Sequence, residues 1–407
     1  MNYTTVNNRQ SKHSYSTRTR VQGSNSRNHK NAGPGRKAST LDHSLLVKEA
    51  ITAEAVRIFR SDRLVSELPI DTRLKQSLAK KGYDRPTEIQ DRTLEALLMG
   101  RDLLGVAQTG TGKTGAFLIP IISKLLLKRT NPYALVVVPT RELALQVEEE
   151  FRSMTRELGL YSACFIGGTS INRDLQNLQR SSHVVIATPG RLLDLTDRRA
   201  IDLGKFETLV LDEFDRMLDM GFIGDVNRIL EGMKQRKHTM LFSATLDRSQ
   251  QSMINSILKD PVTIKISTAN SSADGIEQEV IRIKPGEDKF RVLQEMLTRS
   301  EFRKVLLFEE TKHRVSRLCQ KLNNAGIKAD QIHGNKSQNA RQNALKAFKQ
   351  GRIQVLVATD VASRGLDVSD ISHVINYQVP QTHDSYIHRI GRTGRAGKVG
   401  KAYTFVS

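Results

Sequence analysis

The chain has no tryptophan and only two cysteines, Cys164 and Cys319, in 407 residues. Two thiols exclude a disulfide framework and are too few for a zinc site of Cys₄ or Cys₃His type. Both read as small buried hydrophobes without a disulfide partner. No apolar run approaches the ~20 residues of a membrane span; residues 116–122 are among the longest and contain Pro120. Met1-Asn2-Tyr3-Thr4-Thr5 opens a polar stretch with no apolar core, so no secretory signal is visible. The expectation is a cytoplasmic protein without a membrane partner. Acidic residues are missing from residues 1–40, which carry Arg9, Lys12, Arg18, Arg20, Arg27, Lys30, Arg36 and Lys37. That stretch also has almost no large apolar side chains, so it cannot offset its ordering entropy and reads as a disordered basic arm. Such an arm is either a solvated tail or a sequence-blind phosphate binder. Acidic residues are missing again after Asp384. Over the whole chain 63 Lys and Arg stand against 43 Asp and Glu, a net charge of +20 that points to a polyanionic partner.

What is present is a soluble α/β pattern. Hydrophobic residues make up 38% of the chain, and at roughly 100–200 residues per domain its length suggests two or three domains. Residues 41–59 show apolar positions at three- and four-residue steps and read as a short helix, with Phe59 in its core. Residues 103–106, 135–138, 184–187, 208–211 and 240–242 are continuous apolar runs. Such runs fit strands of a parallel sheet covered on both faces. Helical stretches such as 143–158 alternate with them. The small polar stretch Ser267-Thr268-Ala269-Asn270-Ser271-Ser272-Ala273-Asp274-Gly275 interrupts this rhythm as a linker. The rhythm restarts at 305–308, 354–358, 374–377 and 402–406. The expected division is a basic arm (1–40), a helical lead-in (41–61), a first domain (62–267), a linker (268–275) and a second domain (276–407). The chain closes just after its last strand, so no C-terminal extension is expected.

Three clusters carry chemistry. Gly105-Val106-Ala107-Gln108-Thr109-Gly110-Thr111-Gly112-Lys113-Thr114 follows a strand and opens a helix. It matches the phosphate-loop pattern except for Ala107 at the first glycine position. Its glycines let several N–H groups face one phosphate. Lys113 would reach the β- and γ-phosphates of ATP, and Thr114 would help hold Mg²⁺. Asp212 and Glu213 end the 208–211 strand. A buried acidic pair needs a cation; in this context Asp212 holds Mg²⁺ and Glu213 orients or deprotonates water. Third, His388-Arg389-Ile390-Gly391-Arg392-Thr393-Gly394-Arg395 sets three arginines three residues apart with no acidic neighbour. Arginines from a second domain can complete a phosphoryl-transfer site. No second phosphate loop follows residue 276, so one lobe binds nucleotide and the other contributes across a cleft.

Over residues 62–407 the chain resembles the DEAD-box RNA helicases, with their motifs in family order. The resemblance implies two tandem RecA-like domains with parallel sheets. Gly82-Tyr83-Asp84-Arg85-Pro86-Thr87-Glu88-Ile89-Gln90 looks like the Q motif, implying that Gln90 reads adenine. The phosphate loop has the family's own form, with Gln108, Thr109, Gly110, Thr111, Gly112, Lys113 and Thr114 around ATP. Pro139-Thr140-Arg141-Glu142-Leu143-Ala144, Gly167-Gly168 and Thr188-Pro189-Gly190-Arg191 match first-lobe RNA-backbone motifs. They imply RNA contacts from Thr140, Arg141, Gly168, Thr188, Gly190 and Arg191. Ser243-Ala244-Thr245, with Asp215, matches the apparatus coupling nucleotide state to RNA. In the second lobe the resemblance implies RNA contacts from Gln338, Arg341 and Thr359, and ATP contacts from Gly365 and Asp367. It also implies arginine fingers at Arg389 and Arg392, with His388 in the catalytic set. The implied cofactors are ATP and Mg²⁺. The implied partner is RNA, single-stranded or short duplex, bound without strong sequence preference. A monomer is the default, with room for ribonucleoprotein assemblies.

Two departures stand out. The namesake motif reads Asp212-Glu213-Phe214-Asp215, with phenylalanine where the family has alanine. Phe214 is expected to add bulk beside Ser243–Thr245, and overpacking costs ~1–3 kcal/mol. Val65 stands where the family has an aromatic residue over the adenine. The activity implied is ATP-dependent RNA unwinding. An RNA annealer or clamp with uncoupled ATPase, or a DNA helicase, stays open at this level.

Overall fold

The computed structural model describes Leu46, Val47, Phe59 and residues 61–406, apart from 109, 129–133, 247, 267–274, 364–367, 369 and 395–399. The basic arm, most of the lead-in and the linker therefore lie outside the described residues. Two parallel sheets alternate with helices. The first contains β1 (Leu103–Val106), β2 (Ala134–Val137), β3 (Ser162–Phe165), β4 (Val184–Ala187), β5 (Thr208–Leu211), β6 (His238–Ser243) and β7 (Val262–Lys265). Its order is β3-β4-β2-β5-β6-β1-β7. The second contains β8 (Ile276–Arg282), β9 (Val305–Phe308), β10 (Ala329–Ile332), β11 (Val355–Ala358), β12 (His373–Asn376) and β13 (Gly400–Val406). Its order is β10-β11-β9-β12-β13-β8.

The interior strands are buried along their whole length, as in β2, β4, β5, β9, β11 and β12. Helices cover both faces of each sheet, so alternate residues of one strand feed different cores. Val136 joins one buried cluster while Leu135 and Val137 join the other. Helix starts are written locally. The hydroxyls of Thr140, Thr311, Ser337 and Thr382 accept N–H groups of the first turn, each cap contributing about 1 kcal/mol. Phe59, expected in a helix core, is 45% exposed and non-helical. Leu46, by contrast, is buried with the second-lobe core that includes Ile276 and Tyr386. Cys319 is buried, Cys164 is half-buried, and neither forms a disulfide. Among the described residues no helix is long and apolar enough to cross a membrane.

The second-lobe core carries a titratable group. His373 stacks on Phe302 (ring centroids 4.1 Å), and Tyr403 closes a triangle of rings at 5.9 Å from His373 and 5.7 Å from Phe302. Burial pushes its imidazole down to about 4. The unfolded chain then takes up a proton near pH 6.5 that the folded chain refuses, so stability falls as pH drops from about 6.5 towards 4. His373→Phe keeps the stack and removes the proton. The variant is expected to lose less stability than the parent between pH 7 and 5 in denaturant titrations. Parallel losses would contradict this assignment.

Candidate active site and nucleic-acid interface

Sheet order builds the nucleotide site. β6 lies between β5 and β1, so the loops leaving three neighbouring C-terminal strand ends converge. They are Ala107–Gly112 after β1, Asp212-Glu213 after β5, and Ser243-Ala244-Thr245 at the end of β6. The N–H of Ala107 donates to the carbonyl of Ser243 at 2.9 Å, tying two of these loops directly.

The phosphate loop leads into a helix over Lys113–Leu127. Gly112 precedes it with φ +96°, and a Cβ there would lie 2.5 Å from Thr87 Oγ1 and 2.9 Å from Gln90 Nε2. Only glycine fits both the dihedral and the space. Gln90 Nε2 donates to the Gly112 carbonyl at 3.1 Å, while its Oε1 accepts the Thr87 N–H at 3.0 Å. The amide expected to read adenine is thus also the strap between its own helix and the phosphate loop. The Lys113 ammonium is buried and donates to the Ala107 carbonyl at 2.9 Å. Thr111 Oγ1 closes the loop on the Gln108 carbonyl at 2.8 Å. Thr109 lies outside the described residues. Val65 is buried in the first-lobe core, in a short 3₁₀ turn. It serves there as packing.

The acidic cluster is buried and individually wired. Burial pushes the Asp212 carboxyl up to about 6, with the Lys113 charge pulling it back. Its Oδ1 accepts the Glu213 N–H at 2.9 Å. Glu213 sits at φ +54°, a left-handed conformation rare for a residue with a side chain. Strain of this kind clusters at functional sites and costs of order 1–3 kcal/mol. The Glu213 carboxylate accepts Arg216 Nη1 at 3.0 Å, both side chains buried. Asp215 Oδ2 accepts from the Ala244 N–H (3.2 Å), the Thr245 N–H (3.1 Å) and Thr245 Oγ1 (3.1 Å). Ser243 Oγ donates to the Thr245 carbonyl at 2.6 Å. Phe214, expected to add bulk beside Ser243–Thr245, is fully buried. Its ring lies wholly in the core cluster of Leu211, Met217, Leu241 and Ile254. The bonds from Asp215 to Ala244 and Thr245 form alongside it.

In the second lobe, Arg389 occupies a different place from the one expected of an arginine finger. Its Nε and Nη2 grip Asp360 at 2.6 and 2.8 Å, and its Nη1 donates to Asn376 Oδ1 (3.3 Å) and the Gln378 carbonyl (2.8 Å). Its guanidinium also lies 5.1 Å from the Phe308 ring centre. One buried arginine thus ties together the C-terminal ends of β9, β11 and β12. Four of its N–H groups are spent inside its own lobe, so its place here is to hold that lobe's loops. Arg392 is buried with Nε donating to the His388 carbonyl at 3.3 Å. Gly365, Asp367 and Arg395 lie outside the described residues. Thr359 leads the Asp360 turn at the end of β11.

Two of the expected RNA-contacting residues, Gln338 and Arg341, touch the first lobe. Glu142, on the helix Arg141–Thr155 of the first lobe, pairs with Arg341 Nη2 of the second at 2.8 Å, both buried. Gln338 Nε2 donates to the same carboxylate at 3.4 Å. Arg141 packs over Gly167-Gly168, where a Cβ on Gly168 would strike its guanidinium. Arg191 Nη1 pairs with Asp174 at 2.6 Å, and its Nη2 donates to the Thr169 carbonyl at 2.8 Å, fixing the loop after Gly168. Thr140 caps its helix through Leu143 N–H. Thr188 is buried at the head of the helix Pro189–Asp197, and Gly190 is exposed in its first turn. Burial lowers the affinity of Arg141 for its proton, and the nearby charges of Arg341 and Arg191 add to the effect. Arg341 and Arg191 are paired with Glu142 and Asp174, and Glu142 partly offsets the effect on Arg141. The Asp360 and Glu142 partnerships were not legible as such in the sequence, since each joins positions far apart in the chain.

Fold and site together define a two-lobed RecA-like protein with one phosphate loop and a cationic seam between lobes. The comparisons agree. The DEAD/DEAH box helicase family matches residues 87–254, and the helicase conserved C-terminal domain matches residues 288–397. The chain is 43% identical over 342 residues to the ATP-dependent RNA helicase CshA of Listeria monocytogenes, covering 84% of this chain and 66% of that one. It is 41% identical over 346 residues to the RNA helicase CrhR of Synechocystis, covering 84% and 69%. Among solved structures, Dbp5 of S. cerevisiae bound to RNA and ADP BeF3 superposes with a TM-score of 0.75 at 30% identity, covering 84% of this chain and 89% of that one. The chain belongs to the DEAD-box RNA helicase family. It spans just under two thirds of the CshA relative's length.

Proposed function

We propose that this chain is an RNA-stimulated ATPase that grips single-stranded RNA by its backbone and opens short duplexes locally. The observation that carries the reading is the Glu142–Arg341 pair with Gln338. It brings the RNA-contact sets of both lobes together above a phosphate loop that only one lobe possesses. Closure of the lobes, RNA binding and completion of the ATP site are then one event.

Within this reading, Asp212–Asp215 is the family's namesake motif carrying phenylalanine. The core position of Phe214 leaves Asp215 free to report on the nucleotide through Thr245. The Asp212 carboxylate and Thr114 hydroxyl are hard oxygen donors of the kind Mg²⁺ takes alongside phosphates. Mg²⁺ there would neutralise phosphate charge. Glu213, oriented by Arg216, takes the proton of the attacking water. Lys113 turns from the Ala107 carbonyl to the phosphates. Arg392 stabilises developing charge, and Arg389 holds the loop after β11 that faces the cleft. Backbone-dominated binding makes affinity salt-sensitive and sequence-tolerant. A monomer acting in the cytoplasm is part of this proposal, supported by composition alone.

The test is release of a short labelled RNA strand from a duplex. ATP is expected to drive release and Glu213→Gln to block it. Equal release without hydrolysable ATP would favour the annealer or clamp.

A further inference from the structure

We propose that the RNA interface continues from the lobe junction into a cleft along the open edge of the first sheet, which holds single strand flanking the core site. This rests on the RNA-binding reading above. The cleft has a volume of about 1110 Å³ and lies between the helices Arg141–Thr155 and Ile171–Leu178, over β3. Its lining includes Thr169 and Gln338, close in sequence to Gly168 and Arg341, as well as Tyr161 and Arg180. β3 spans about 13 Å, room for up to about four stacked nucleotides at 3.4 Å each.

The lining has the chemistry of a single-strand site. Tyr161 is 61% exposed, yet its ring is braced on His183 (centroids 6.1 Å, planes 27° apart). The Tyr161 N–H donates to His183 Nδ1 at 3.2 Å. A braced exposed ring is a platform for a base. Arg156, Arg173 and Arg180 are exposed in the cleft and make no ion pair among the described residues. The carboxylates beside them are mostly spent: Glu148 on Arg152 and Asp174 on Arg191. In the same lining, buried Gln338 leaves its Oε1 without a hydrogen-bond partner. A ribose 2′-hydroxyl can donate to it, whereas DNA offers no donor there. Among the described residues the outer edge of β3 has no strand neighbour, and so it also offers backbone groups to an extended peptide. The exposed ring and unspent guanidiniums favour RNA.

The experiment compares binding of RNAs of about 6 and about 16 nucleotides in the presence of a non-hydrolysable ATP analogue. The parent is measured beside the triple variant Tyr161→Ala, Arg173→Ala, Arg180→Ala, whose positions are all exposed. The variant is expected to bind the longer RNA about tenfold more weakly and the shorter one as the parent does. The slope of log K against log salt for the longer RNA should shrink by about 1.4, for two lost phosphate contacts. Unchanged affinity for the longer RNA overturns the cleft as an RNA site and leaves the peptide edge as its use. An equal loss at both lengths overturns it too, because the residues would then belong to the core site. If the parent binds neither length, the RNA-binding reading itself fails, and the cleft proposal with it.

Discussion

Glu213→Gln is expected to lower RNA-stimulated ATP turnover by about 10²–10⁴-fold, the range for loss of a positioned general base. The geometry makes this a clean substitution. Glu213 accepts one bond from Arg216 at 3.0 Å, and the glutamine carbonyl can still accept it. Its left-handed backbone is set by the turn between β5 and the helix Phe214–Asp219 and not by the carboxylate. Binding of ATP and RNA should therefore persist while turnover stops. Single-turnover hydrolysis and nucleotide binding, measured separately, check both halves. A loss below about tenfold would remove Glu213 from proton transfer.

Arg341→Ala is expected to raise the RNA concentration for half-maximal ATPase by about 10–100-fold, with little change in turnover without RNA. The Glu142–Arg341 ion pair spans the lobes at 2.8 Å and is buried, and close charge pairs across an interface couple by about 1.5–7 kcal/mol. That stabilisation belongs to the closed arrangement alone. With the lobes apart, water solvates both partners. Removing Arg341 also strands the Glu142 carboxylate in the seam, which adds to the cost of closing. Arg341→Lys should rescue part of the effect, since an ammonium restores charge without the planar fork. An unchanged RNA requirement in Arg341→Ala would mean that this pair does not govern closure.

The sequence revealed interior strands better than edges, for a physical reason. β1, β4, β5 and β9 appeared at their observed bounds because a strand covered on both faces is an unbroken apolar run. β3, β7, β8 and β10 went unread, and each is an edge. Edge strands are less fully covered, as Val262–Lys265 is with its alternation of half-buried and exposed positions, and so resemble loops. The phosphate loop and acidic pair were legible because their chemistry is local in sequence. The roles of Arg389 and Arg191 were not. An arginine shows its charge in sequence, but whether Asp360 or Asp174 claims it depends on which strand ends the fold brings together. The core around Phe214 was legible only in part, since it draws on Leu211 and Met217, three residues away on either side, and also on Leu241 and Ile254, far off in sequence.

The central claim is that RNA closure completes the ATP site. Its most direct measurement is steady-state ATP hydrolysis with single-stranded RNA, with DNA of the same sequence, and with neither. The account predicts strong stimulation by RNA alone and its loss in Glu213→Gln. Equal turnover under all three conditions would contradict it, as would stimulation by DNA to the same level.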